Sequence, residues 1–207
     1  MKNLFVLIIL VLAVIQGDCK VIFQPRVGAG FLLSPDLSPL KEAGQRVTDM
    51  GLNFNLELIF KNNPIDYGLE LGYFTLFNIS GYGFLPDNEG NVKLRNFTEG
   101  ETSIPLVCFL RKDLKNIHSV TPYVQGGFGY FADSYYFNTA DGKFSESAGK
   151  SFSGIMLGVG SMFTIKNRVI DLAIKYYSIN DSGLHDSGAL KYNTSLINIA
   201  VIAQLKK

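Results

Sequence analysis

The sequence predicts an all-β fold: eight antiparallel strands closed up-and-down into a barrel, after an N-terminal signal peptide. Three observations predict it. Eight stretches alternate apolar residues with small or polar ones, the connections between them alternate long and short, and an export-type segment comes first. Side chains along a strand point to opposite faces with period two, so each stretch reads as a two-faced strand. In Val169–Tyr177, for example, Ile170, Leu172, Ile174 and Tyr176 share one face, and Asp171, Ala173, Lys175 and Tyr177 share the other.

The chain has 207 residues, a formal charge of +1, 47% hydrophobic and 18% charged residues. That length suits a single domain, and near-neutral charge gives no reason to expect nucleic acid as a partner. Lys2 followed by the apolar run Leu4–Ile15 reads as a signal peptide over residues 1–17, with the mature domain over 18–207. The run is shorter than the roughly 20 residues of a bilayer-spanning helix. Cys19 raises lipidation as an alternative, but Asp18 before it is not the small residue such a site uses.

The first strand is expected at Val21–Leu33, with Val27, Ala29 and Phe31 opposite Arg26, Gly28 and Gly30. The second, Val47–Phe60, sets Leu52, Phe54, Leu56 and Leu58 against Asn53, Asn55 and Glu57. A turn at Lys61–Asp66 leads to the third, Tyr67–Ile79, where Leu69, Leu71 and Tyr73 oppose Gly68, Glu70 and Gly72. The fourth, Thr102–Arg111, alternates poorly. Its Pro105 lacks a ladder donor and suggests a bulge. The fifth, Pro122–Ala132, sets Val124, Phe128 and Tyr130 against Gln125, Gly127 and Gly129. The sixth, Ser151–Ile165, is followed by a tight turn at Lys166–Arg168, the seventh, and then the eighth, Ser195–Leu205. Long loops are expected at residues 34–46, 80–101, 133–150 and 178–194.

Alternation does not say which face points inward. The strands are long enough for a tilted bilayer crossing, which takes about 9–11 residues. Short turns alternating with long outer loops give the rhythm of membrane barrels, with both chain ends on the periplasmic side. The non-apolar face is glycine-rich and sparsely charged, as a narrow filled interior requires. These features predict an eight-stranded antiparallel up-and-down transmembrane β-barrel. Arg26, Glu57, Glu70, Asp171 and Lys175 then point inward as a barrel-interior charge network that plugs the lumen, since buried charges must pair. Aromatics near strand ends (Phe23, Tyr67, Tyr130, Phe163, Tyr176) are candidates for interfacial girdles.

The residues point to no catalytic, cofactor or metal site. Two histidines, neither near a cysteine, make a zinc site unexpected. His118 falls in a predicted turn. Cys19 and Cys108 are expected to lie too far apart for a disulfide. His185-Asp186-Ser187 brings a base, an acid and a hydroxyl together, the elements of a nucleophilic site, but adjacent residues rarely converge on one substrate. Asn78, Asn96, Asn180 and Asn193 begin glycosylation sequons, a match that Asn- and Ser-rich loops produce by chance.

Ile104-Pro105-Leu106-Val107, then Thr121 to Tyr130 (TPYVQGGFGY), then Asp171 to Tyr177 (DLAIKYY) resemble successive strands of the outer-membrane beta-barrel domain family, which includes the small OmpA- and OmpX-type barrels. The resemblance covers roughly residues 21–205. It implies a monomeric outer-membrane protein surrounded by lipid, with loops available to a surface ligand or a host or envelope protein, and a structural or surface-interaction role without catalysis. The chain ends Gln204-Leu205-Lys206-Lys207, where many such barrels end in an aromatic residue. Two alternatives remain open from the residues. One is a soluble exported lipocalin-like carrier of a lipophilic ligand, with the apolar faces lining a cavity. The other is an outer-membrane lipid A-modifying hydrolase using the His185–Ser187 group.

Overall fold

Each strand runs antiparallel to its neighbours, and the last pairs with the first. The computed structural model describes residues 22–33, 46–48, 50–62, 64–86, 89–142, 145–165, 168–179 and 195–204. The strands are β1 (Ile22–Leu33), β2 (Arg46–Thr48), β3 (Met50–Lys61), β4 (Asp66–Pro86), β5 (Val92–Asp113), β6 (Val120–Thr139), β7 (Ser145–Ile165), β8 (Arg168–Ile179) and β9 (Ser195–Gln204). β2 and β3 pair with β4 at successive heights, so together they form one wall of an eight-walled barrel. The β1–β9 ladder, Arg26↔Gln204 to Leu33↔Ile197, closes the cylinder. Within the lower band, closure pairs each wall on both sides, which is what a sheet needs to sit in a medium that offers no hydrogen bonds. The proposed signal peptide, Cys19, residues 34–45 and the His185–Ser187 group lie outside the described residues.

The alternating faces take the directions expected of a membrane barrel. Val27, Phe31, Leu52, Phe54, Leu71, Phe128, Leu157, Ile174 and Ile199 are exposed on the outer wall, while Arg26, Asn53, Glu57, Glu70, Gln125, Asp171, Lys175 and Asn198 are buried inside. The outward apolar side chains therefore line no cavity, which removes the geometry that a lipocalin-like carrier needs. Cys108 is a free, half-buried thiol on the outward-facing side of β5. Tyr73, Tyr130 and Tyr176 are exposed toward the end of the wall that carries the long hairpins, and Tyr67 and Phe163 are half-buried at the opposite end.

Strand lengths differ from the sequence expectation. β4, β5, β6 and β7 run 21, 22, 20 and 21 residues, against 12 for β1 and β8. Most of the segments expected as loops at 80–101 and 133–150 are strand. Ser80↔Thr98 through Pro86↔Val92 continue the β4–β5 ladder, and Asp133↔Lys150 through Asn138↔Ser145 continue β6–β7. The sequons at Asn78 and Asn96 thus lie in paired strands. The pattern gives no sign of this because ladder hydrogen bonds belong to the backbone, and above a lipid band neither face has to be uniformly apolar. The result is a lopsided barrel from which a four-stranded sheet rises at one end. Short connections occupy the other end, where His118 adopts a left-handed turn conformation with φ 58° and is solvent-exposed.

The bulge expected at Pro105 lies elsewhere. Register shifts between Thr75↔Thr102 and Phe77↔Glu101, so Leu76 of β4 is the extra residue. Pro105 sits in unshifted register opposite Phe131; its missing donor costs one ladder bond without adding a residue. The Leu76 insertion keeps both Phe74 and Leu76 buried and turns Asn78, Ser80, Tyr82 and Phe84 outward, as a bulge does by reversing the facing of all that follows.

Glycines on the inner face make room for large partners. A Cβ at Gly68 would lie 2.1 Å from the Phe109 ring, and one at Gly160 would lie 2.3 Å from the Tyr123 hydroxyl. At the closing seam the conflict is with backbone: a Cβ at Gly30 would lie 2.1 Å from the Ile199 carbonyl oxygen and 2.7 Å from the Ala200 Cα. Gly30→Ala is therefore expected to abolish most of the folded, fast-migrating form on an unboiled detergent gel. Gly126→Ala, whose Cβ meets nothing nearer than 3.6 Å, should migrate as the native protein does.

Candidate functional site

Inward-facing positions of a narrow barrel share one small volume, so side chains from distant walls meet there. Glu57 and Glu70 are direct cross-strand partners in the β3–β4 register. Like charges placed this way repel. Lys175 of β8 resolves the conflict: its Nζ donates to Glu57 Oε1 and, at 2.5 Å, to Glu70 Oε2. Tyr177, two residues along β8, donates its hydroxyl to the other Glu70 oxygen at 2.6 Å.

A second group lies closer to the short-connection end. Asp171 Oδ2 accepts from Arg26 Nη1 at 2.9 Å and Arg111 Nη1 at 3.2 Å, and Asp171 Oδ1 accepts from the Tyr123 hydroxyl at 2.8 Å. The Arg111 guanidinium also lies 3.4 Å from the centre of the Tyr123 ring, a cation–π contact that is stronger when desolvated. Arg111 Nε donates to Asp113 at 3.0 Å, Lys61 bridges Asp113 at 2.7 Å and Asp66 at 2.5 Å, and the chain of ion pairs thereby runs from the rim to the interior. Lys61, Asp66 and Asp113 keep some exposure.

The five residues singled out from the sequence are thus divided between two groups. Arg26 and Asp171 meet each other; Glu57, Glu70 and Lys175 meet each other. Arg111, Tyr123 and Tyr177 complete them and were not singled out, although face parity held the signal. Arg111 follows Ser103, Pro105, Val107 and Phe109 on the inner face, and Tyr123 precedes Gln125. An arginine at a strand end reads as a rim residue, and a tyrosine reads as packing, until the opposite wall is known. The six least exposed charged side chains among the described residues are Arg26, Arg111, Lys175, Glu57, Glu70 and Asp171. Three cations balance three carboxylates.

Above the charges the interior holds a cluster of rings beside buried polar groups such as Asn53, Ser103 and Asp133. The Phe74 and Phe131 rings meet Tyr177 edge-on with centroids 5.2 and 6.1 Å away, and Met156, Phe152 and Leu196 pack beside them. Higher still, Phe97 stacks on Phe137 at 5.3 Å between the tall hairpins, and Arg95 pairs with Asp141. Such a layer of packed rings over a set of paired charges fills the interior at these heights. Among the described residues no group of three or more His, Cys, Asp or Glu could hold a metal. No helix among them is long and apolar enough to cross a membrane, a statement that does not bear on strands.

A closed barrel of eight antiparallel walls, apolar outside and charged inside, has the fold of the small outer-membrane barrels. Solved structures agree. The chain superposes on a major outer membrane protein of Thermus thermophilus with a TM-score of 0.56 at 14% identity, covering 90% of this chain and 98% of that one. It superposes on Neisserial surface protein A with a TM-score of 0.52 at 11% identity, covering 89% of this chain and 97% of that one. No protein-family profile and no curated protein sequence matches the chain significantly.

Removing one member of a buried ion group leaves the others uncompensated, at a cost of about 3–5 kcal/mol. Lys175→Met is expected to lower the unfolding free energy of the detergent-folded barrel by an amount of that order, seen as a lower denaturant midpoint. Adding Glu57→Gln and Glu70→Gln to it should recover most of the loss, because no charge is then left without a partner. Unfolding followed by gel mobility checks both.

Proposed function

We propose that the protein is an integral outer-membrane barrel, held by lipid around its strands, whose role is structural or in surface interaction and does not involve catalysis. The inverted burial carries this reading: large apolar side chains cover the outside while the charges are paired within. In water that arrangement would expose a continuous apolar belt far larger than soluble monomers carry; in a bilayer it is the stable one. Agreement in fold with two outer-membrane proteins supports it. The interior groups act as a charge-balanced plug that holds the walls in register. The chain ends and short connections lie on the periplasmic side, and the β4–β5 and β6–β7 hairpins project outward as the surfaces a partner would meet.

The outward part of the β4–β5 hairpin supports the surface role. Tyr82 and Phe84 are 77% and 76% exposed, more than any large apolar residue of the lipid-facing band. Asn78, Ser80 and Asn96 separate them from that band.

Membrane fractionation with and without boiling tests the location and the architecture together. The protein is expected in the outer-membrane fraction, migrating faster unboiled than boiled. Recovery in the soluble fraction without detergent would overturn the proposal.

A further inference from the structure

The two ends of the outer wall differ in charge. At the long-hairpin end, the outward residues just above the apolar band are Asn78, Ser80, Asn96, Ser134 and Ser151, which carry none. At the short-connection end, Lys112, Lys115 and Arg168 are exposed, while the acids there, Asp66 and Asp113, turn to Lys61 and Arg111. The exposed ionised side chains of that end, among the described residues, are therefore basic. Lys112 and Lys115 belong to one sector, at the end of β5 and in the turn that follows it, whereas Arg168 opens β8, three walls further round.

The same sector carries apolar side chains at rim height. Leu114 and Ile117, in the turn that carries Lys115, are exposed. Directly above, a shallow groove between β5 and β6 is lined by Ile65, Leu110, Lys112, Val124 and Gly126. Gly126 supplies the gap, since it puts no side chain on the wall. The groove continues the lipid-facing surface, with Lys112 in its lining.

An apolar trough with Lys112 in its lining and Lys115 three residues on matches one ligand chemistry, an acyl chain attached to a phosphate headgroup of net negative charge. We propose that the β5–β6 sector of the short-connection rim is a binding site for an anionic glycerophospholipid, with an acyl chain along the Leu110/Val124/Gly126 groove and the phosphate on Lys112 and Lys115. The proposal rests on the membrane reading above and adds which lipid class is held and at which end. Each basic group near an anionic surface adds about 1 kcal/mol, or about fivefold in association. The uncharged outward residues at the other end supply no such term.

The chain contains no tryptophan, so L110W introduces a single reporter beside the groove. F31W places one on the apolar wall of β1, away from it. Each variant is reconstituted in phosphatidylcholine vesicles, its barrel verified by unboiled gel mobility, and titrated with dibrominated phosphatidylglycerol or dibrominated phosphatidylcholine, whose bromines quench tryptophan on contact. Expected is severalfold tighter association of the anionic lipid at the L110W tryptophan and no such preference at the F31W tryptophan. The preference should fall toward unity in L110W/K112Q/K115Q. Equal quenching by both lipids at L110W would overturn the site while leaving the membrane barrel standing. Absence of quenching by either lipid at either position would overturn the membrane reading as well. Loss of the preference on adding inorganic phosphate at matched concentration would overturn the lipid assignment in favour of free phosphate. Where L110W does not fold, V124W reports on the same groove.

Discussion

Lys175 holds the interior together. It leaves β8 and reaches Glu70 on β4, four walls away in a ring of eight, so the contact spans the barrel. It is also the counter-charge that permits Glu57 and Glu70 to stand opposite each other on adjacent strands. Ladder hydrogen bonds fix neighbouring walls to one another but say nothing about walls that do not touch. The ion pairs from Lys175 to Glu57 and Glu70, and from Asp171 to Arg26 and Arg111, supply that second kind of restraint. They are reached only because the cylinder is narrow. Breadth is held down in turn by glycines such as Gly68 and Gly160, which let Phe109 and Tyr123 lie across the inner face.

Burying charges is expensive unless each is paired and hydrogen-bonded, and here the six deepest ones balance. That balance makes the usual distribution of polarity reversible. With backbone groups satisfied by closure and interior charges satisfied by one another, nothing polar on the band itself has to face solvent. The outer surface is free to be apolar and to take lipid as its solvent. Stability and location thus follow from one arrangement, and the aromatic layer of Phe74, Phe131 and Tyr177 completes the filling of the lumen.

The taller side of the barrel follows a different logic. Beyond the Leu76 bulge the strands leave the band, and their outward residues change from leucine and tyrosine to asparagine and serine before Tyr82, Phe84, Val92 and Leu94 restore an apolar surface near the tip. The inner side of that projection is held by Phe97 stacked on Phe137 and by Arg95 with Asp141. Fixing a surface of this kind on a four-stranded sheet costs less ordering entropy on binding than presenting it on a flexible loop.

Much of the architecture is present in the one-dimensional pattern. Period-two alternation gives the strands of the band and which residues share a face, because side-chain direction in a strand is a local property of the chain; strand length, connection rhythm and the glycine-rich second face then place Arg26, Glu57, Glu70, Asp171 and Lys175 inward. Three matters needed the folded molecule. The upper halves of β4 to β7 are strand through backbone pairing, which their mixed polar sequence does not announce. The site of the bulge depends on two strands in register and passed over Pro105, the residue that locally invites it. The identity of the ionic partners was decided last, because which inward residues share a height depends on the register and stagger of walls far apart in sequence. Alternation tells a residue which others share its face, and only closure tells it what it will meet there.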